Sequence, residues 1–527
     1  MSRKGSPANK RIILYVVIGI LAVSVVAVTA FGRGPAAKTP EELAREQREQ
    51  TIAANKARFC GESPANSNAY ITEHVLPSDC ELPLGIAVDS DRVWYLSTKQ
   101  GTLGSYSLAT SKFEEFAIPS WPARSNPDPG VFSMTWATRI DSDGNIWFTD
   151  DRQNLLWKFD KGTGEFASFK SPASGPISFD FDSEGNIYLV GVRSNSLYFG
   201  NVAEMNPGTL DGFTEIKLPL DAFSDIEFGV VSGSLAVDRE REVVWTSVLA
   251  FDQKGQIYRY DVEANEVSVY DLPEDLKSPV GTAVDGEGNL WVTDHATNIF
   301  FMLNPETGDI TRYSTSVLSA RVLGATPSDG AYTLPYWIQT DADGNLWFNQ
   351  HVGNKINRFD PSTQTMTEYW IPTQNAKWAN CAEGADECGL SNTLQMSVGP
   401  SGQVWFTEWT ENKIGNVSNA QVPLSVSAPE EITVSRGDSA EIKVDLASES
   451  ALDVSMVSAG TFTSTGTLGS STGIFSQQSV SVDAGGSRQV SYVFTPDPDL
   501  APGQYVLMLG ADQGDFAVFK AVRVNVV

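Results

Sequence analysis

Residues 141–150 read DSDGNIWFTD, and close copies of this stretch return along the chain. Each copy begins with an Asp-x-(Asp/Glu)-Gly-Asn turn. An aliphatic residue and an aromatic residue follow the turn, and the copy ends in small or polar residues. The clear copies lie at 141–150, 182–188, 285–294 and 341–350. Three weaker copies, at 89–94, 238–245 and 399–408, bring the number to seven. Self-similarity of this kind indicates a repeat protein.

The unit around each copy is predicted to contain four short β-strands. The Asp-Gly-Asn turn is a hairpin signal, because Gly and Asn tolerate positive φ and Asp bonds its own backbone. A β-rich segment precedes the turn, as in GIAV (85–88), and the tryptophan-bearing strand follows it. A third strand such as LLWKF (155–159) leads to a fourth such as MTEYWIP (366–372). Seven such units predict an all-β, seven-bladed β-propeller over residues 69–421.

The seventh unit lacks a fourth strand, since the pattern changes after residue 417. The segment ITEHVLP (71–77) matches MTEYWIP (366–372) position by position. We therefore predict that this N-terminal strand completes the last blade, which removes the exposed sheet edges of an open ring.

Residues 422–527 no longer follow the repeat. They are rich in Ser, Thr, Val and Gly and contain alternating runs such as QVSYVF (489–494). This pattern predicts an immunoglobulin-like β-sandwich, a kind of domain that serves as a spacer or an adhesion unit.

An apolar run, IILYVVIGILAVSVVAVTAF, occupies residues 12–31 and is long enough to cross a bilayer as a helix. Four basic residues precede it: Arg3, Lys4, Lys10 and Arg11. The positive-inside rule predicts a cytoplasmic tail over 1–11, a signal anchor over 12–31 and an extracellular remainder. The alternative is a cleavable signal peptide, with VTA (28–30) as its cleavage site. Both alternatives predict that the bulk of the chain is exported. With the signal anchor, the protein would be a single-pass protein of the cell membrane.

Residues 32–68 are predicted to form a linker and a stalk helix. Thr39 and Glu42 have the spacing of a capping box, and the charged stretch after them has little apolar face. The helix should therefore be solvated and hold the propeller away from the membrane.

The net charge of −28 and the four cysteines limit the partners and the compartment. Strong negative charge argues against nucleic acid and anionic membrane surfaces, and suits a cationic ligand or a metal ion. An even number of cysteines in an exported chain indicates disulfides, with three connectivities open. We favour the sequence-local pairs, Cys60 with Cys80 and Cys381 with Cys388.

Two segments, WFNQHVGNKINR (347–358) and WFTEWTENKIG (405–415), resemble repeats of the virginiamycin B lyase, or streptogramin lyase, family. The resemblance covers residues 82–417, and a broader similarity extends to NHL-repeat and gluconolactonase-like propellers. It implies a propeller fold, and an enzyme that opens a cyclic depsipeptide at its ester by elimination, with a magnesium ion and a catalytic histidine. That histidine stands directly before Gly-Ile at the start of an inner strand.

The positions of this chain that correspond to the family's histidine are Leu84, Trp136, Ile177, Gly233, Val280, Tyr336 and Leu394. None of these side chains acts as a general base at neutral pH. The resemblance therefore supports the fold rather than the activity.

The remaining candidates for chemistry lie just past the second strand of the last blades. His295 and His351 share one repeat position in blades five and six, and Asp294 precedes the first of them. Glu408, followed by Trp409, occupies the matching place in blade seven. Converging imidazoles and carboxylates suggest a divalent metal such as magnesium, with Asp294, His295, His351 and Glu408 as ligands. His351, His295 and Glu408 are also the candidate catalytic residues, whereas the alternative is that each polar residue satisfies its own loop backbone.

A separate pair, Arg139 and Asp180, falls at equivalent inner-strand positions of adjacent blades. We expect a structural ion pair near the central channel.

Two functions remain open. The first is a membrane-anchored cell-surface protein that binds an unidentified extracellular ligand or protein partner. The alternative is a metal-dependent lyase or lactonase-type enzyme acting on cyclic esters. They differ in one requirement, because an enzyme of this kind needs a general base.

Overall fold

The computed structural model describes residues 38–527 except 195, 225–229, 251–252, 318–331, 380, 382–387, 419–420 and 464–465. The first element is the helix α1 (Pro40–Phe59). Its capping box is confirmed: the backbone N–H of Thr39 donates to Glu42 Oε2 at 2.7 Å, and that of Glu42 donates to Thr39 Oγ1 at 3.2 Å. Among the described residues, no helix is long and apolar enough to span a membrane. The proposed tail and anchor, residues 1–31, lie outside them.

The strand β1 (Ile71–Val75) precedes the repeats, and the blades follow in chain order. Blade one contains β2 (Pro83–Val88), β3 (Arg92–Ser97), β4 (Thr102–Ser107) and β5 (Phe113–Ala117). Blade two contains β6 (Thr138–Ile140), β7 (Ile146–Asp150), β8 (Leu155–Asp160) and β9 (Glu165–Lys170). Blade three contains β10 (Pro176–Phe181), β11 (Ile187–Gly191), β12 (Ser196–Gly200) and β13 (Phe213–Lys217). Blade four contains β14 (Val231–Asp238), β15 (Val243–Ala250), β16 (Lys254–Asp261) and β17 (Glu266–Asp271).

Three blades complete the set. Blade five contains β18 (Pro279–Val284), β19 (Leu290–Asp294), β20 (Ile299–Leu303) and β21 (Ile310–Ser314). Blade six contains β22 (Pro335–Thr340), β23 (Leu346–Gln350), β24 (Lys355–Asp360) and β25 (Thr365–Trp370). Blade seven contains β26 (Thr393–Val398), β27 (Val404–Glu408), β28 (Lys413–Val417) and the early strand β1.

The blades form a closed ring. The first strands of neighbouring blades contact one another, except that β10 of blade three contacts the second strand, β7, of blade two. The ring closes where β26 of blade seven contacts β2 of blade one. In blade seven, β1 pairs antiparallel with β28, from Ile71 opposite Val417 to Val75 opposite Lys413. The predicted closure by the N-terminal strand is thus confirmed, and the described part of the chain contains a β-propeller of seven antiparallel blades.

We call the repeated stretch, residues 141–150 and its six copies, the cassette; one carboxylate of each clear copy stabilises its hairpin turn. In blade six, Asp341 Oδ1 accepts the backbone N–H of Asn345 at 2.8 Å, and Gly344 takes a positive φ of 83°. Asp341 Oδ2 accepts the indole N–H of Trp347 at 2.8 Å. The same carboxylate–indole bond joins Asp141 to Trp147 and Asp285 to Trp291. The cassette therefore forms the hairpin turn, and its aspartate also binds the buried tryptophan of the next strand.

Replacing Asp341 with alanine should lower the free energy of unfolding by about 2–3 kcal/mol, because several hydrogen bonds to one charged group are lost. The matched control is Asp343→Ala in the same turn, an exposed residue whose loss should change stability by less than about 0.5 kcal/mol. Urea unfolding of both variants measures the difference. Equal effects would show that the Asp341–Trp347 link does not stabilise the blade.

The described residues of the C-terminal region form nine strands: β29 (Leu424–Ser427), β30 (Glu431–Val434), β31 (Ala440–Ser448), β32 (Leu452–Gly460), β33 (Thr472–Phe475), β34 (Ser479–Val482), β35 (Gly486–Thr495), β36 (Gly503–Asp512) and β37 (Phe516–Val526). One sheet has the order β29-β31-β35-β33, and the other contains β37-β36-β32-β34 with β30 parallel to β37. Buried and exposed residues alternate along β31, and its buried Ile442 and Leu446 share a core with Leu507 and Val522 of the second sheet.

This C-terminal unit is joined to the propeller by a shared sheet. Strand β37 pairs antiparallel with β25, the outer strand of blade six, from Thr365 opposite Lys520 to Tyr369 opposite Phe516. Phe519, opposite Met366, is fully buried in a cluster with residues of blades five and six. The C-terminal unit and the propeller therefore share main-chain hydrogen bonds and an apolar core.

Candidate functional site

The residues that follow the second strands lie on the side of the ring that carries the blade-to-blade connections, here called the connection face. The backbone N–H of His295 donates to Ser278 O at 2.8 Å, and that of His351 donates to Leu334 O at 3.0 Å. Trp409 N–H donates to Asn392 O at 3.2 Å in blade seven. Each bond ties the end of a second strand to the connection that enters the same blade.

The two histidines are brought together, as their shared repeat position suggested. His295 Nε2 lies 3.2 Å from His351 Nδ1, and the rings stack with centroids 5.4 Å apart. His351 Nε2 lies 2.8 Å from Asn392 Oδ1. Since the amide oxygen only accepts, His351 carries its proton on Nε2, and its Nδ1 accepts from His295 Nε2–H. This directed chain requires His351 to be neutral, whereas His295 can donate from Nε2 in either of its protonation states.

Electrostatics favour the same protonation state. Burial and the neighbouring His351 lower the pKa of His295 to about 3. Burial also lowers the pKa of His351, against the opposing effect of its bond to Asn392. Both imidazoles are therefore neutral at pH 7, and His295 in particular is a weak base.

The histidines belong to a longer series of contacts. Trp409 Nε1 donates to Thr98 Oγ1 at 3.3 Å, which continues the series from blade seven to blade one. We call His295, His351, Asn392, Trp409 and Thr98 the rim arc. Tyr336 packs on His295 with ring centroids 4.6 Å apart. The rim arc thus places imidazole, amide, indole and hydroxyl groups from four blades along one side of the ring.

Asp294, one of the two carboxylates of the predicted metal site, is engaged by the backbone of its own blade. Asp294 is fully buried, and its oxygens accept the backbone N–H groups of Ser278 at 3.1 Å and Ala296 at 3.0 Å. Burial raises its pKa to about 6, although these two bonds act in the opposite direction. Within the described residues, no three His, Cys, Asp or Glu side chains are arranged to hold a metal ion. For Asp294 the geometry corresponds to the alternative of a satisfied loop backbone.

The Asn-Lys-Ile segments that carry the family resemblance form buried ion pairs. Lys355 Nζ lies 2.6 Å from Glu368 Oε2 in blade six, with relative side-chain exposures of 3% and 0%. Lys413 Nζ lies 2.9 Å from Glu73 Oε2 in blade seven, with both side chains at 0%. Each pair joins a third strand to a fourth strand. The motif therefore holds the blade together and takes no part in the rim arc.

Glu408 is fully buried beside the ion pair of blade seven. Its counterpart in blade six, Gln350, donates from Nε2 to Glu368 Oε1 at 2.9 Å. Both oxygens of Glu408 are buried and accept no hydrogen bond from a described donor. Burial and the charge of Glu73 raise the pKa of Glu408 well above its usual range, although Lys413 lowers it. A protonated Glu408 can donate to Glu73 as the amide of Gln350 donates to Glu368.

The end of α1 also lies on the connection face. Phe59 packs among Phe132, Trp378 and Trp409, with ring centroids 5.7–5.8 Å apart. Gly61 N–H donates to Thr410 O at 2.7 Å, beside the disulfide between Cys60 and Cys80. The helix is therefore not solvated to its end, because its last side chain is a large aromatic residue. Both predicted disulfides, Cys60–Cys80 and Cys381–Cys388, are confirmed.

No protein-family profile and no curated protein matches the sequence. Among solved structures, a streptogramin B lyase is similar with a TM-score of 0.50 at 21% identity, over 67% of this chain and 99% of the lyase. The fold is that of streptogramin B lyases. Virginiamycin B lyase from Staphylococcus aureus gives the same TM-score, 0.50, at 20% identity, over 66% of this chain and 99% of that one. Similarity at this level of identity establishes the streptogramin-lyase fold alone.

Proposed function

We propose that this protein is a membrane-anchored extracellular propeller that binds a ligand or a protein partner on its connection face. The observation that carries the proposal is the directed chain from His295 through His351 to Asn392. It uses both imidazoles as neutral hydrogen-bonding groups, and no base stands at the seven positions of the lyase histidine. The rim arc suits recognition better than proton transfer, and loops on a rigid scaffold commonly bind.

The side chains of the connection face indicate the class of ligand that it binds. Phe132 and Trp378 are partly exposed and supply aromatic surface next to the buried Trp409 of the rim arc. Aromatic rings with polar neighbours are typical of binding surfaces. The net charge of −28 disfavours polyanions as partners. We therefore expect a neutral or cationic partner.

Three observations support an extracellular location. The apolar run at 12–31 with its basic flank is typical of a signal anchor. Both pairs of cysteines form disulfides, which persist in oxidising compartments. The C-terminal two-sheet unit, which we interpret as immunoglobulin-like, is typical of surface proteins.

Location is tested with the full-length protein carrying a C-terminal epitope tag. We expect the tag to remain in the membrane fraction after an alkaline carbonate wash, and to be removed when intact cells are treated with protease. A tag that is protected until the cells are lysed would contradict the proposal. Recovery of the protein in the medium, shortened to a terminus near residue 30, would show a cleaved signal peptide instead of an anchor.

Catalysis is tested on a panel of cyclic depsipeptides and lactones with added magnesium. We expect no turnover above the uncatalysed rate from the wild type, from His295→Ala or from His351→Ala. Turnover by the wild type that His351→Ala abolishes would overturn the binding proposal in favour of the metal-dependent lyase or lactonase. A matched control is His74→Ala, whose ring packs on Trp405 away from the rim arc.

A further inference from the structure

Arg139 and Trp337 meet across the centre of the propeller. Arg139 Cζ lies 5.6 Å from the centroid of the Trp337 ring. Arg139 belongs to β6 of blade two and Trp337 to β22 of blade six. Since two blades separate them on one side of the ring and three on the other, their contact crosses the central channel. The pair therefore obstructs the channel with a cation on an aromatic ring.

The repeat explains why this contact is formed. Two residues before each cassette, the inner strands carry Ala87, Arg139, Asp180, Ala236, Ala283, Gln339 and Ser397. Four residues before it, they carry Gly85, Ala137, Ser178, Ser234, Gly281, Trp337 and Gln395. Most of these side chains are small, so the few large ones can extend towards the axis. Arginine, aspartate and tryptophan at such positions break the pattern of the repeat.

The charges near the obstruction do not cancel. Asp180 Oδ1 lies 2.6 Å from an Nη atom of Arg239 and 3.7 Å from Nε of Arg139. The predicted pair of Arg139 with Asp180 is thus present, but a second arginine joins it. Two guanidinium groups and one carboxylate leave a local charge of +1 in a chain whose net charge is −28. Arg139 donates one hydrogen bond from an Nη atom to Thr138 O at 3.0 Å, and a guanidinium has five N–H donors.

At the same level of the channel, two buried donors have no acceptor among the residues that the structure describes. Trp337 Nε1 and Gln395 Nε2 are buried, and neither has an acceptor among the described residues. The two residues are only 4% and 2% exposed. Buried N–H groups are normally satisfied, and a buried indole N–H usually has a partner. Unpartnered N–H donors beside a net positive charge favour the binding of an anion, whose oxygens would accept their hydrogen bonds.

We propose that the central channel binds the carboxylate of a small organic acid. The residues that form this site, here called the channel cluster, are Arg139, Asp180, Arg239 and Trp337. The planar guanidinium fork matches a planar carboxylate, and the indole N–H adds a donor. Asp180 orients both arginines. Arg239, at 48% exposure, lies beside the cassette turn of blade four and opens the cluster to solvent. The cassette turns are at the opposite end of the strands from the rim arc, so this site is independent of the function proposed for the connection face.

The test uses the full-length protein in a neutral detergent and chloride-free buffer, titrated calorimetrically with acetate, succinate and phosphate. We expect saturable 1:1 binding of acetate or succinate, weakened about tenfold or more by Arg139→Gln, since a charge-assisted hydrogen bond is lost. Trp337→Phe keeps the ring and removes the N–H, and should weaken binding about fivefold. Arg488→Gln, which removes an exposed arginine paired with Asp483 in the C-terminal unit, should leave binding unchanged.

Three outcomes would overturn the proposal. The first is no saturable binding of any of the three probes by the wild type. The second is affinity for acetate and succinate that is unchanged in both Arg139→Gln and Trp337→Phe. The third is binding of phosphate alone, which would indicate a site for a tetrahedral oxyanion. If Arg139→Gln fails to fold, Trp337→Phe together with Arg239→Gln, at a half-exposed position, still decides between the outcomes.

Discussion

Replacing Lys413 with methionine should lower the free energy of unfolding by about 3–5 kcal/mol, the usual effect of removing one partner from a buried ion pair. The substitution leaves the carboxylate of Glu73 in the interior of blade seven, where neither side chain has any exposure. Thr373 Oγ1, which also contacts Glu73, supplies a hydrogen bond but no charge. Urea unfolding at pH 7, with far-UV circular dichroism to confirm the native fold, measures the effect.

The contrast with an exposed pair makes this prediction specific. Arg488 and Asp483 are 2.9 Å apart at exposures of 48% and 79%, and Arg488→Met should cost less than about 1 kcal/mol. Adding Glu73→Gln to Lys413→Met should recover much of the loss, because the uncompensated charge is then gone. If Lys413→Met destabilises no more than Arg488→Met, the Asn-Lys-Ile motif does not act through its buried ion pair.

The period of the sequence was sufficient to predict the propeller. The cassette gave the number of blades, and the match of 71–77 to 366–372 identified the strand that closes the ring. The pairing of β37 with β25 was not predictable in the same way. It joins segments about 150 residues apart in the sequence, and a free strand edge leaves no periodic mark in its sequence. The link from each cassette aspartate to the next tryptophan could have been recognised, since the spacing of six residues recurs in three blades.

The candidate site was predicted only in part. Repeat register placed His295 and His351 on neighbouring blades, and they are in contact. Asp294 and Glu408 were assigned to the same rim because they end the second strands of their blades, but their side chains turn into those blades. One signal pointed to this outcome: blade six has an amide, Gln350, where blade seven has Glu408. A position that accepts glutamine in one copy of a repeat favours a neutral hydrogen-bond donor over a metal ligand.

Replacing Glu408 with glutamine should stabilise the protein at alkaline pH and leave its stability unchanged at acid pH. Burial raises the pKa of Glu408 in the folded state, where Glu73, Lys413 and Glu411 surround it. Between the unfolded pKa, about 4.3 for a free glutamate, and this higher folded pKa, only the folded state holds the proton. The unfolding free energy of the wild type therefore falls as pH rises through this interval, and levels off above the folded pKa.

The glutamine variant lacks this loss, because its amide donates to Glu73 at every pH, as Gln350 donates to Glu368. Its advantage over the wild type should grow from near zero at pH 4 to a few kcal/mol at pH 9, on the order of the cost of a poorly compensated buried charge. Urea unfolding at one-unit pH steps gives both curves. Groups present in both proteins, such as Glu81, whose pKa is raised to about 9 by burial and by Glu115, cancel in the difference.

The reverse substitution in blade six tests the same argument in a second environment. Gln350→Glu places a carboxyl beside Glu368, whose own pKa is subject to burial but is held low by Lys355. The variant should match the wild type near pH 4 and lose stability progressively as the pH rises, because ionising the new side chain would put two carboxylates against one lysine. Parallel pH curves for Glu408→Gln and the wild type, or a pH-independent effect of Gln350→Glu, would show that Glu408 is ionised in the folded protein. In that case Glu408 would again be a candidate ligand for a cation.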